Sequence, residues 1–341
     1  MKAAVFKSAG EAMVIETVDD PTPGDNDVVI EVKRCGICGT DLHQTESHES
    51  GLVSGTVLGH EYIGEVVAAG KLAAQNFKTG DKVTGMPFST CGSCLPCQTG
   101  RPFQCSQLSI VGMMQPGGFA EFVRLDANNS IKVPNSVSWQ EGALIEPMAV
   151  GLHAVKMASN LKGKNVLVLG AGPVGLAVAY WVRFFGAYNI VVSEPESLRN
   201  ESALQYGATG TINPAKESVA EEFARQCGSP PDVIFECVGI PGMISQCIDF
   251  AQHGTELIVV GYCIYEDPII PAAAMGKEMV MRFALSYHKE DFEFIAGLMA
   301  SDRVNVEAMC TETVSFDNFS DMFESLRTPN NQCKVLLDPW G

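Results

Sequence analysis

Two hydrophobic textures divide the chain. Residues 1–135 carry short apolar runs separated by turn residues, a mostly β pattern. Val28-Val-Ile-Glu-Val-Lys-Arg34 and Tyr62-Ile-Gly-Glu-Val-Val67 read as strands, with turn chemistry at Pro21-Thr-Pro-Gly24 and Thr79-Gly-Asp81. Near residue 138 the texture changes. Ser138-Trp-Gln-Glu141 is a capping-box pattern, followed by helix-forming residues through about Met157. From Asn165 the order becomes apolar run, glycine turn, helix, apolar run, as in parallel βαβ units. The runs at 166–169, 190–192, 233–235 and 257–260 are too rich in Val, Ile and Leu to alternate. Such runs belong to strands covered on both faces. The pattern predicts an α/β chain: a β-rich first region, then a doubly wound parallel sheet. Beyond about residue 283 the tail could complete either region.

Composition narrows the class. With 341 residues, 46% hydrophobic and 18% charged, the chain is globular and long enough for two domains. Its 23 Lys+Arg against 40 Asp+Glu, a formal charge of -17, repels phosphate backbones and excludes nucleic acid as an expected partner. The N-terminus has a lysine inside its short apolar run and lacks the apolar core of a signal peptide, so a cytoplasmic location is expected. Residues 166–182 are uncharged and nearly long enough to span a bilayer, but Gly170, Gly172, Pro173 and Gly175 split them. They read as buried core, and no membrane association is expected. In that setting the 12 cysteines point to metal ligands or core residues rather than disulfides.

Three clusters carry candidate chemistry. The first is Gly170-Ala-Gly172-Pro173-Val174-Gly175, which follows an apolar run and opens a helix predicted over 176–185. Gly170 suits a tight turn, Gly172 a close approach of backbone to a pyrophosphate, and Gly175 close helix–strand packing. The next strand ends at Ser193-Glu194, the usual spacing of about 20 residues for an acid that accepts the ribose 2′-OH and repels a 2′-phosphate. This predicts NAD(H) rather than NADP(H). Arg199 is close enough in sequence to join the cofactor site, or else covers a solvated helix face.

The second cluster, Cys91, Cys94, Cys97 and Cys105, places four thiols within fifteen residues. Short Cys-x-x-Cys steps present thiolates to one tetrahedral ion and leave no position for substrate. Four thiolates suit zinc or an iron–sulfur cluster, and the residues alone leave both open. The third cluster is mixed. Cys38 and His60 combine thiolate and imidazole, the donor types of a catalytic zinc with an open position. Another ligand must come from elsewhere, and Glu146, just before Pro147, is the candidate. Each of these residues taken singly reads as readily as ordinary core or surface.

Cys38 with Gly59-His60-Glu61, the Cys91–Cys105 loop and the glycine loop, in this order, resemble the zinc-dependent medium-chain alcohol dehydrogenase family over essentially the whole chain. The resemblance implies a GroES-like catalytic domain (1–149) holding two zinc ions per chain, one catalytic and one structural. It further implies a Rossmann NAD-binding domain (150–283) and a tail (284–341) returning to the first domain. Glu146-Pro147 resembles the polyol and butanediol dehydrogenase branch. There Cys38, His60 and Glu146 would hold the catalytic metal, with Glu61 beside it as an alternating carboxylate and Asp41 fixing the His60 tautomer. Thr40 would take the substrate proton and pass it through the nicotinamide ribose toward His43, an imidazole that titrates near neutrality. The family also forms dimers or tetramers, so a homo-oligomer is implied.

Departures from the branch bear on substrate. Gln44 stands where polyol dehydrogenases have tyrosine, Ser286 where they have arginine, and Phe88 where threonine dehydrogenases have histidine. Each change removes a group suited to a polar substrate. Met86, Phe88, Met113, Met114 and Leu285 then either line an apolar pocket or pack in the core. The expected substrate is a hydrophobic secondary alcohol, including cyclic ones, and its ketone. A polyol or 2,3-butanediol-type dehydrogenase is the alternative, followed by a zinc-free enone or quinone reductase and a non-enzymatic NAD-binding sensor.

Overall fold

A computed structural model describes residues 1–328 and 330–341. It divides into two compact units, Met1–Glu146 with His288–Gly341, and Pro147–Tyr287. These bounds lie a few residues from the 149/150 and 283/284 divisions read from the sequence. The first falls inside the helix Ile145–Lys156, where hydrophobic pattern gives no break. The capping box forms as expected: the Glu141 N–H donates to Ser138 Oγ at 3.0 Å, and the Ser138 N–H donates to the Glu141 carboxylate at 3.0 Å.

The first unit is built on a seven-stranded sheet. Its order is Cys310–Val314, Lys334–Leu337, Asp27–Gly36, Glu61–Ala69, Lys82–Gly85 and Ser130–Lys132, with Phe122–Asp126 also paired to Asp27–Gly36. The tail therefore completes this sheet: Leu336 lies opposite Gly36 and Leu337 opposite Cys35 in an antiparallel pair. The core holds Val28, Ile30, Val32, Tyr62, Val66 and Phe119, closed by the helix Phe316–Ser325. Phe316, Phe319 and Phe323 recur on one face of that helix and are all buried. Phe319 packs against Phe119 with ring centroids 4.9 Å apart. Each such buried ring contributes about 2–3 kcal/mol.

The second unit is a six-stranded, all-parallel sheet. The order is Gly210–Ile212, Asn189–Ser193, Asn165–Leu169, Val233–Glu236, Glu256–Val259 and Val280–Phe283. The apolar runs read from the sequence are its central strands: Val166, Leu167, Ile190, Ile234 and Leu257 have no exposed surface. Strand order reverses between Asn165–Leu169 and Val233–Glu236, which opens a crevice at their carboxyl ends. The helix after the glycine loop is Pro173–Phe184, starting earlier than predicted because proline suits its first turn. The edge strands Gly210–Ile212 and Val280–Phe283 are short and partly exposed, so their pattern was weak in the sequence. Among the described residues no helix is long and apolar enough to cross a membrane.

Candidate active site

The mixed cluster forms where the strand Asp27–Gly36 gives way to the helix Gly39–Glu46. Cys38 caps that helix, and its N–H donates to Asp41 Oδ2 at 3.0 Å. Gly59 has φ +92, and a Cβ there would meet the Phe119 ring at 2.6 Å, so only glycine allows this turn into His60 and Glu61. The Cys38 sulfur, a His60 ring nitrogen and a Glu61 oxygen all lie within 4.8 Å of one another. Zinc ligands sit about 2.0–2.3 Å from the ion, so one ion fits a set of this size and chemistry.

Asp41, 2% exposed, faces His60 Nδ1 at 3.3 Å, while Thr40 Oγ1 is 3.4 Å from Nε2. Burial alone would lower the His60 pKa, but Asp41 and then Cys38 outweigh it and hold the pKa well above the ordinary histidine value. Glu61 is 1% exposed, and both its oxygens accept from Lys334 Nζ at 2.6 Å. Lys334, 2% exposed, also donates to the Ile37 carbonyl at 3.0 Å. Burial would lower the Lys334 pKa, and Glu61 reverses that, raising it above the ordinary lysine value. The sequence reading missed Lys334 altogether. Its only signal is a lysine opening the apolar strand Lys334–Leu337. Gly36 is required here too, because a Cβ would lie 2.0 Å from Glu61 Oε2.

Glu146 sits in the first turn of Ile145–Lys156 and is buried. It lies outside the convergent set of Cys38, His60 and Glu61. It is close enough to add to the upward pKa shift of Tyr62, which burial dominates, and to that of Lys334. The His43 side chain is 59% exposed, with Nδ1 3.8 Å from Glu46. Met86 and Phe88 are core residues, Phe88 packing edge-on against Phe103 at 5.6 Å. Gln44 Nε2 donates to Met113 Sδ at 3.2 Å, while Met114 and Leu285 are exposed. Ser286 adopts φ 64, and among the described residues its buried hydroxyl has no hydrogen-bond partner.

Cys91, Cys94, Cys97 and Cys105 converge within 4.8 Å around the short helix Leu95–Gln98. Backbone N–H groups aim at the sulfurs: Cys94 at Cys91 (3.3 Å), Cys91 at Cys105 (3.4 Å) and Gln107 at Cys105 (3.3 Å). The N–H groups of Ser93 and Cys94 push the Cys91 pKa down to about 6. The backbone N–H of Cys97 lowers that of Cys94, but burial and the neighbouring thiols carry it up to about 11. Four thiol ligands and N–H donors suit a structural metal without an open position.

In the second unit, Gly170 has φ +90, and a Cβ on Gly175 would meet the Gly170 carbonyl oxygen at 2.1 Å. A Cβ on Gly172 would meet nothing, so the space beside it is open to a ligand at the N-terminus of Pro173–Phe184. Val174 follows Pro173 in the first turn of that helix. Glu194 is 4% exposed, and its carboxylate accepts from the Ala171 N–H (2.8 Å) and the Glu196 N–H (3.1 Å). It therefore braces the glycine loop, a task the sequence did not reveal. Arg199 lies in the first turn of the following helix, Ser197–Gln205, next to Asn200, whose side-chain amide donates to the Glu194 carbonyl at 2.7 Å.

Residues 24–135 match the alcohol dehydrogenase GroES-like domain, and residues 173–301 match the zinc-binding dehydrogenase model. An L-threonine 3-dehydrogenase from Escherichia fergusonii is 32% identical, with 99% of each chain covered. A zinc-binding dehydrogenase from Sinorhizobium meliloti bound to NADP superposes with TM-score 0.89 at 29% identity, covering 99% of both chains. A 2R,3R-butanediol dehydrogenase from Bacillus subtilis gives TM-score 0.88 at 29% identity, again over 99% of both. With its GroES-like and Rossmann domains, the chain belongs to the zinc-dependent medium-chain alcohol dehydrogenase family, oxidoreductases acting on alcohols with NAD(P).

Proposed function

We propose that this chain oxidises a hydrophobic secondary alcohol, cyclic ones included, to its ketone with NAD⁺. The observation that carries the reading is the convergence of Cys38, His60 and Glu61 donor atoms within 4.8 Å of one another. When bound, zinc lowers the pKa of the substrate hydroxyl, and NAD⁺ accepts the hydride. The protein's own residues do the rest. Asp41 holds His60 Nδ1–H and so turns Nε2 toward the metal position. Thr40 Oγ1, 3.4 Å from His60 Nε2, would accept the hydroxyl proton, and the exposed His43 ring would hand it to solvent. Lys334 holds both Glu61 oxygens, which supports Glu61 as an alternating carboxylate, while Glu146 as the third ligand rests on the likeness of Glu146-Pro147 to the polyol branch.

Glu194 supports NAD over NADP, as an acid at the ribose end. The apolar substrate class rests on Gln44, whose amide is taken up by Met113, and on Ser286 in place of a cation. Phe88 adds little to it, since it packs in the core. The Glu146-Pro147 pair and the butanediol dehydrogenase likeness favour a second reading, a polyol or diol substrate. Exposed apolar side chains at Ile270, Met275, Phe283 and Leu285, on or near the edge strand Val280–Phe283, support a homo-oligomer formed by the second unit.

The test is an NAD⁺-reduction screen of cyclic and acyclic secondary alcohols beside diols, polyols and threonine, with zinc counted per chain. Wild-type protein is expected to hold two zinc ions and to favour the apolar alcohols. Cys38→Ser and Glu146→Gln should each leave one zinc, with Cys38→Ser losing about a thousandfold or more in kcat while NADH stays bound. A clear preference for polyols would overturn the substrate class. One zinc in wild-type protein would overturn the mechanism.

A further inference from the structure

A buried carboxylate that the mechanism does not use lies at the crevice of the second unit. Glu236 ends the strand Val233–Glu236 opposite Leu169, across the point where strand order reverses. It is 1% exposed, and the residues before it, Val233, Ile234 and Phe235, are all buried and apolar. Removing a carboxylate from water is costly unless it is well bonded. Here Oε1 accepts from the Val238 N–H at 2.7 Å and the Gly239 N–H at 2.8 Å, and among the described residues no cation pairs with it. Burial raises its pKa, the two N–H donors lower it, and Asp267 adds a repulsion.

The turn it holds is fitted on both sides. Gly239 has φ +75, and a Cβ there would meet the Tyr262 nitrogen at 2.7 Å. A Cβ on Gly261 would meet the Gly239 nitrogen at 2.3 Å and Glu236 Oε2 at 2.7 Å. The Val260 and Gly261 N–H groups both donate to the Glu236 carbonyl at 2.8 Å. Toward the glycine loop, Val238 Cγ2 would lie 3.2 Å from a Cβ on Gly170, and the Cys237 N–H donates to the Leu169 carbonyl at 3.0 Å.

We propose that Glu236 is a positioning residue for the nicotinamide half of the cofactor, its carboxylate fixing the 237–239 turn as the wall of the crevice opposite the glycine loop. The assignment to that half follows from topology. Glu194 and the strand Asn189–Ser193 lie on the ribose–adenine side of Asn165–Leu169, so the Val233–Glu236 side takes the other mononucleotide. This rests on the NAD-dependent reading above.

Holoenzyme Kd values for NADH and for ADP-ribose, which lacks nicotinamide, test the idea in wild type, Glu236→Asp and Glu236→Gln. Aspartate keeps the charge but falls a methylene short of the two N–H groups. It should weaken NADH about tenfold or more while ADP-ribose stays within about twofold. Glutamine keeps the reach and an acceptor oxygen, so it should bind both ligands nearly as wild type does. Equal losses for both ligands in the aspartate variant, or no loss, would overturn the proposal. So would a glutamine variant that loses NADH affinity, whatever becomes of the aspartate one. Wild-type protein that binds neither ligand would instead sink the cofactor reading itself.

Discussion

Lys334 and Glu61 form an ion pair with 2% and 1% exposure. A pair this deep is weak evidence of net stability, but breaking it strands one charge away from water. Lys334→Met should therefore cost about 3–5 kcal/mol in denaturant unfolding, and the added change Glu61→Gln should restore part of the loss. A loss below about 1 kcal/mol would mean that water reaches Glu61. Ser286 illustrates the opposite case. Its φ of 64 and its unpartnered buried hydroxyl both oppose folding. Ser286→Gly should raise stability by about 1–2 kcal/mol in the same measurement. Neither feature is visible in sequence, because a partner 273 positions away and a backbone dihedral leave no local pattern.

At the scale of elements, the glycine loop separates two reasons for glycine. Gly175 is needed by the protein, since its Cβ would strike the Gly170 carbonyl. Gly172 has φ -68 and open space beside it, so the fold tolerates a side chain there. Gly172→Ala should keep wild-type stability within about 0.5 kcal/mol yet raise the NADH Kd about tenfold or more. Gly175→Ala should lower both stability and NADH affinity. Calorimetric melting beside NADH titration distinguishes them, and equal stability losses would show that the space beside Gly172 is not reserved for ligand. The strand–turn–helix here was readable because it is local: an apolar run, three glycines and a proline at the first helical turn.

At the scale of the whole molecule, the two metal positions differ in how the chain builds them. Cys91, Cys94, Cys97 and Cys105 come from one short stretch of chain, and backbone N–H groups of that stretch support their sulfurs. Cys94→Ser should drop zinc to one ion per chain by elemental analysis, while the catalytic zinc and NADH binding persist. Loss of both ions would show that the four-cysteine stretch and the Cys38–His60 site fold as one. The candidate catalytic set instead draws Cys38 and His60 from successive segments, with Lys334 of the returning tail paired to Glu61.

The sequence by itself determined what short segments determine: the parallel strands, the glycine turn and the four-cysteine cluster. In these, ligand spacing or hydrophobic period is set by a few consecutive residues and the geometry of one turn. Only the tertiary structure decided which strands the returning tail pairs with, that Lys334 holds Glu61, that Glu194 braces the glycine loop and that Phe88 and Met86 pack in the core. It also brought Glu236 to the crevice wall. Each of these depends on strand pairing, burial or side-chain direction, and those are fixed by contacts between segments far apart in the chain.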